Sequence, residues 1–223
     1  MEMTAKEQFL STKLIAIVRG VEPPAQEPLA EALYAGGIRL LEITFDQRGI
    51  CPAEKTAETI HRLAQRMAGR MAVGAGTVLT KEQVQLAHQA GAQFILSPDT
   101  NLEIIAETKR RQMLSFPGAL TPSEIQCAYA AGADFVKLFP AGSLGADYIR
   151  AILAPLAHIP VLAVGGIDET AMPAYLDAGV CGFGVGSTLV RRDWIAQGLF
   201  AELTALAKRY TTVIGDWNYV HSH

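Results

Sequence analysis

The sequence predicts an α/β fold, a (β/α)8 TIM barrel with an N-terminal helix, running as a single domain over residues 1–223. Three observations predict it. Short β-branched runs alternate with longer stretches of helical periodicity along the whole chain. Eight such runs can be counted. Ala-Gly pairs recur where a helical stretch gives way to a strand, at Ala35-Gly36-Gly37, Ala90-Gly91-Ala92, Ala131-Gly132-Ala133 and Ala178-Gly179-Val180. Strands separated by helices must pair in parallel, and eight such units suit closure into a cylinder. An open doubly wound sheet could use the same elements, and the closed form is the preferred reading.

The candidate strands, in order, are "KLIAIV", "IRLLEIT", "MAVGAG", "QFILS", "MLSFPG", "DFVKLF", "PVLAVGG" and "GFGVGS". Each repeated glycine fits a helix C-terminus, because it tolerates the left-handed backbone that ends a helix. Thr121-Pro122-Ser123-Glu124 and Asp168-Glu169-Thr170 read as helix starts. Asp193 to Tyr210 reads as a helix outside the barrel, and the final "TTVIGDWNYVHSH" carries no interpretable motif.

Composition narrows the function. Half of the residues are hydrophobic and 18% are charged, which suits a well-cored domain rather than a disordered one. A net charge of −3 argues against nucleic-acid or membrane-surface binding. No apolar run approaches the ~18 residues of a membrane span. The start, "MEMTAKEQFLSTK", lacks the apolar centre of a secretory signal. Cys51, Cys127 and Cys181 are sparse and unpaired in spacing, which favours reduced thiols and a cytoplasmic location. His61, His88 and His158 stand alone and His221 and His223 lie in the tail, so no metal site is expected.

A barrel of this kind keeps its chemistry at the C-terminal ends of its strands. Those ends read Arg19, Glu42 with Thr44, Gly76 with Thr77, Ser97-Pro98, Pro117-Gly118, Lys137, Gly165-Gly166 and Gly186-Ser187. Lys137 is the only charge within "FVKLFP". It is either an outward or ion-paired lysine, or an amine whose pKa is lowered by burial so that it can attack a ketone. Glu42, within "LLEI", is either a salt-bridge partner for Lys137 or Arg19, or a proton carrier with a raised pKa. Arg19 could pair bidentately with a carboxylate, or with Glu42 across the rim. The glycine turns at Gly165-Gly166 and Gly186-Ser187 end the last two strands, where backbone N–H groups, a helix N-terminus and the Ser187 hydroxyl can hold a phosphate.

Taken in order, "GGIRLLEIT", "VGAGTVLT", "GAQFILSP", "FPGALTPSE", "DFVKLFPA", "VGGI" and "GVGS" resemble the class I 2-keto-3-deoxy-6-phosphogluconate and 4-hydroxy-2-oxoglutarate aldolase family, which includes the 6-phosphogalactonate aldolases. The resemblance runs from about Leu14 to Leu189. It implies cofactor-free cleavage of a 2-keto-3-deoxy-6-phosphosugar acid to pyruvate and glyceraldehyde 3-phosphate, with 4-hydroxy-2-oxoglutarate cleavage as a second activity. Lys137 would form the imine and Glu42 would shuttle protons. Arg19 and Thr77 would hold the substrate carboxylate, Pro117 would offer backbone near the imine, and Phe139 would wall the pyruvate pocket. The resemblance also implies a homotrimer.

Two positions depart from or divide the family pattern. Several members place an arginine four residues after the catalytic glutamate, where this chain has Asp46, a residue that would repel an anion. Val164 before Gly165-Gly166 and the run "LIAIVRG" lean toward the galactonate branch. Rival readings are a non-catalytic phosphosugar-binding barrel and a sugar-phosphate epimerase, the latter expected to need metal-binding His and Asp at strand ends.

Overall fold

A computed structural model describes residues 2–221. Its strand segments are β1 (Leu14–Val18), β2 (Leu40–Thr44), β3 (Ala72–Gly76), β4 (Phe94–Leu96), β5 (Leu114–Phe116), β6 (Gly118–Ala119), β7 (Val136–Leu138), β8 (Val161–Val164) and β9 (Gly182–Val185). The helices are α1 (Ala5–Thr12), α2 (Pro23–Ala35), α3 (Ala53–Arg66), α4 (Lys81–Gln89), α5 (Leu102–Arg110), α6 (Pro122–Ala130), α7 (Ala141–Leu156), α8 (Met172–Asp177), α9 (Arg192–Ala196) and α10 (Phe200–His221).

The strands pair in the order β5-β4-β3-β2-β1-β9-β8-β7-β6. β5 and β6 are two halves of the expected strand "MLSFPG", divided at Pro117, whose nitrogen has no proton to give a ladder. The chain itself therefore closes the cylinder. Upstream of Pro117, β5 pairs with β4; downstream, β6 pairs with β7. The Pro117 carbonyl bridges the junction by accepting the Lys137 N–H at 2.8 Å. All eight expected strands are thus present, the fifth one interrupted.

Alternation along each strand sorts the side chains into two layers. Leu41, Ile43, Val73, Ala75, Val136 and Leu138 face the helices and belong to the large outer core. Ile15, Leu40, Phe94, Phe116, Leu162 and Val164 face inward and form a separate core along the axis. Glycines make room there. A Cβ at Gly74 would overlap the Phe94 ring, and one at Gly184 would come within 2.8 Å of Val164. Large inward residues therefore sit opposite absent ones, and the barrel interior packs solid.

α1 seals the N-terminal end. A capping box between Thr4 and Glu7 starts it, and Phe9 enters the barrel, where it is fully buried. Phe9 meets Phe116 and Phe135 edge-on at centroid distances of 5.4 and 4.6 Å. Burial of such a side chain stabilises the fold by about 1.5–3 kcal/mol.

The recurrent glycines behave as expected. Gly37, Gly91, Gly132 and Gly179 all have positive φ, and the residue after each bonds back to a carbonyl five residues earlier. Thr121 and Glu124 form a capping box on α6. Asp168 does not cap a helix directly: it accepts from the N–H groups of Thr170 and Ala171 in a turn, and α8 starts beyond it at Met172. The expected helix from Asp193 to Tyr210 is two helices, broken around Gly198 at φ 71° and continued through His221. Its second part, α10, packs outside the barrel against α2 and α8. His223 lies outside the described residues. Among the described residues, no helix is long and apolar enough to cross a membrane.

Candidate active site

Strand parity decides which charged residues meet. Lys137 lies between Val136 and Leu138, which face outward, so its side chain enters the barrel. Glu42 has the same inward parity on β2, between Leu41 and Ile43. Lys137 is 7% exposed and Glu42 2%. Neither forms a salt bridge, so the bland reading of a directly paired Lys137 and Glu42, or of a rim pair between Arg19 and Glu42, does not hold among the described residues.

Burial dominates the protonation of both groups. Loss of water lowers the Lys137 pKa; the charge of Glu42 opposes this and that of Arg19 reinforces it. Loss of water raises the Glu42 pKa, opposed by Lys137, by the Thr44 hydroxyl and by Arg19. Thr44 donates to Glu42 Oε1 at 3.1 Å. The second carboxylate oxygen, Oε2, is buried without a hydrogen-bond partner. An unsatisfied buried oxygen is costly to keep, and it is available to a proton or to a substrate donor. Gly76 on the neighbouring strand makes this placement possible, because a Cβ there would coincide with the Glu42 carboxylate.

The rest of the mouth assembles around this pair. Arg19 donates to the Thr77 hydroxyl at 3.3 Å, so the two expected carboxylate-binding groups meet. The Phe139 ring lies 4.9 Å from Lys137 Nζ, is 41% exposed, and stands against Gly165, where a Cβ would lie 3.1 Å away. Pro117 is buried next to Lys137 through the bond that closes the sheet. Every predicted pocket residue therefore borders the same end of the barrel.

The two glycine turns lie side by side on β8 and β9. Gly165 and Gly166 have φ of 97° and 73°, values that exclude most side chains. Gly186 opens a turn in which its carbonyl accepts from Leu189 and Val190, leaving Ser187 exposed. Thr188 donates to the Ile167 carbonyl at 2.9 Å and ties one turn to the other. The helices that follow begin only at Met172 and Arg192 and are six and five residues long. The expected contribution of a helix N-terminus is therefore not seen, and anion binding here would rest on backbone N–H groups and Ser187.

Asp46 keeps its negative charge and pairs with the Arg48 guanidinium at 3.3 Å. Its carboxylate also accepts from the N–H groups of Arg48, Ile50 and Cys51 at 3.3, 2.6 and 3.0 Å. Those bonds hold its pKa down at about 2. Asp46 thus organises the loop after β2. Two residues at this end were not singled out from sequence: Gln47, which donates to the Thr77 carbonyl at 2.8 Å, and Arg192, whose guanidinium lies against Gly20. Neither stands in an apolar run, so no local pattern marks them. Among the described residues, no three His, Cys, Asp or Glu side chains converge as metal ligands.

The family model for KDPG and KHG aldolase matches residues 6–206. The chain belongs to this aldolase family. It is 36% identical over 217 residues to a 2-dehydro-3-deoxy-phosphogluconate aldolase of Treponema pallidum, covering 96% of this chain and 99% of the relative. It is 34% identical over 203 residues to a probable 2-dehydro-3-deoxy-6-phosphogalactonate aldolase of Rhizobium meliloti, covering 91% and 93%. Among solved structures it resembles the KDPG aldolase of Legionella pneumophila, captured with pyruvate as a covalent carbinolamine, with TM-score 0.81 and 27% identity over 93% of this chain and 98% of that one. Family membership makes the chain a lyase of the aldolase type, and the relatives carry both substrate names.

Proposed function

We propose that the chain is a Schiff-base aldolase that cleaves a 2-keto-3-deoxy-6-phosphosugar acid to pyruvate and glyceraldehyde 3-phosphate. The observation that carries this reading is a buried lysine amine at the barrel mouth, with its pKa lowered by desolvation and a buried carboxylate in its field. Arg19 and Thr77 take the substrate carboxylate. Neutral Lys137 adds to the C2 carbonyl, and Glu42 supplies the proton that lets water leave the carbinolamine. In the resulting iminium, removal of the C4 hydroxyl proton breaks the C3–C4 bond. Its electron pair passes to the nitrogen and leaves an enamine, while C4 departs as an aldehyde. Protonation at C3 and hydrolysis then release pyruvate and regenerate Lys137. The Phe139 ring shields the imine, and the glycine turns with Ser187 hold the phosphate.

Val164 is inward-facing and 3% exposed, packed beside Gly184 just below the Gly165-Gly166 turn. The likeness of this position to the galactonate branch of the family supports a preference for the galactonate epimer, which differs from the gluconate at C4. The test of the chemistry is incubation with pyruvate and borohydride, followed by intact mass and peptide mapping. One stable adduct on Lys137, lost in Lys137→Ala, is the expected result. Full turnover by Lys137→Ala would refute the assignment. Homotrimeric assembly rests on family likeness, and sedimentation velocity measures it directly.

A further inference from the structure

Thr77 follows β3 in the left-handed region, at φ 54°, which a β-branched residue seldom occupies. Two side chains grip it. Its carbonyl accepts from Gln47 Nε2 at 2.8 Å, and its hydroxyl accepts from Arg19 Nη2 at 3.3 Å. Gln47 is presented by the Asp46 loop, whose carboxylate gathers three backbone N–H groups within the next five residues. A continuous path of hydrogen bonds therefore runs from the loop after β2, through the end of β3, to the guanidinium at the end of β1.

We propose that Gln47 is a positioning residue for carboxylate recognition. By holding the Thr77 carbonyl it keeps the peptide in its unusual conformation, and the Thr77 hydroxyl then stays where Arg19 needs its partner. Without that donor, Thr77 can relax toward ordinary β backbone, which swings its hydroxyl away. Arg19, exposed at the rim, then loses its anchoring contact and must be ordered when ligand binds. Gln47 acts through Thr77 and Arg19 and touches no reacting atom. This inference rests on the reading that Arg19 takes the substrate carboxylate.

Two probes separate the positioning role from the imine chemistry. Pyruvate reads both, through half-saturation of cyanoborohydride trapping. Lactate has a carboxylate but no ketone, and titration followed by NMR reads the carboxylate site alone. Gln47→Met keeps the side-chain length and removes the donor. It is expected to weaken both probes by about three- to tenfold, the range of one hydrogen bond. The maximal trapped fraction and the thermal midpoint should match the wild type. In an Arg19→Ala background, adding Gln47→Met should cost less than in the wild type, because only the Thr77 contact is then left to disturb.

Unchanged affinity for both probes, or an equal loss with and without Arg19, overturns the role. Failure of wild-type chain to trap pyruvate sinks the Schiff-base reading, and the lactate series still decides the role of Gln47. Wild-type chain that does not bind lactate removes the carboxylate site and the role of Gln47 with it.

Discussion

A missing atom positions the proton carrier. Gly76 leaves the space that the Glu42 carboxylate fills, so Gly76→Ala must displace Glu42, bend β3 or both. Misplacing a catalytic group by about an ångström costs on the order of a hundredfold, and kcat/KM should fall by at least that much with the far-UV circular dichroism unchanged. Lys137 carries a second test. Its amine is pushed down by burial and by Arg19, so reductive methylation with neutral formaldehyde should titrate below the ordinary lysine range. Arg19→Met removes a permanent positive charge, so the midpoint should move upward; a downward move would show that Arg19 does not act on Lys137. Both charged residues were legible in the sequence because each interrupts an apolar strand. The loop roles of Asp46 and Gln47 were not. They arise from hydrogen bonds within a loop and across to β3, which depend on a chain path that no periodicity encodes.

Helices that end in glycine were legible because the same chemistry recurs before four strands, and left-handed backbone is what glycine supplies there. The C-terminal helices are less legible. Their hydrophobic pattern continues across Gln197 to Leu199, while the break depends on the left-handed turn at Gly198. The continuation past Tyr210 depends on tertiary contacts, with Tyr210 and Ile214 buried and Thr211 donating to the Gly36 carbonyl at 3.0 Å. α10 seats closely on the end of α2, where a Cβ on Gly36 would overlap that of Ala207. Gly36→Ala therefore overpacks a helix contact, and urea unfolding should show a loss of about 1–3 kcal/mol. Because this contact lies outside the barrel, kcat at saturating substrate should stay within about twofold of wild type.

Closure of the cylinder was the step that strand patterns could not decide, since an open sheet uses the same runs; the bonds on either side of Pro117 decide it. Closure also creates the dry interior that shifts Lys137 and Glu42, so the whole fold bears a stability penalty for its chemistry. The sign follows for each group. Glu42 has a folded pKa raised above the ordinary 4.5, so its stabilising contribution is present at low pH and is lost as pH rises through the raised value. Lys137 is lowered from the ordinary 10.5, so its contribution is present at high pH and is lost as pH falls through the lowered value. Around neutrality both penalties act. Removing one member of the pair leaves the other charge buried alone, whereas removing both relieves the penalty. The double variant Lys137→Met/Glu42→Gln should be inactive and more stable than wild type by about 1–4 kcal/mol at pH 7, with Glu42→Gln or Lys137→Met alone less stable than the double variant. Denaturant unfolding from pH 4 to pH 10 measures the difference. It should be widest near neutrality and shrink toward both ends, because the double variant no longer carries the two titrating groups. A gap that does not change with pH would mean that these two side chains are already solvated within the folded barrel, and a solvated Lys137 would lack the depressed pKa on which imine formation at neutral pH depends.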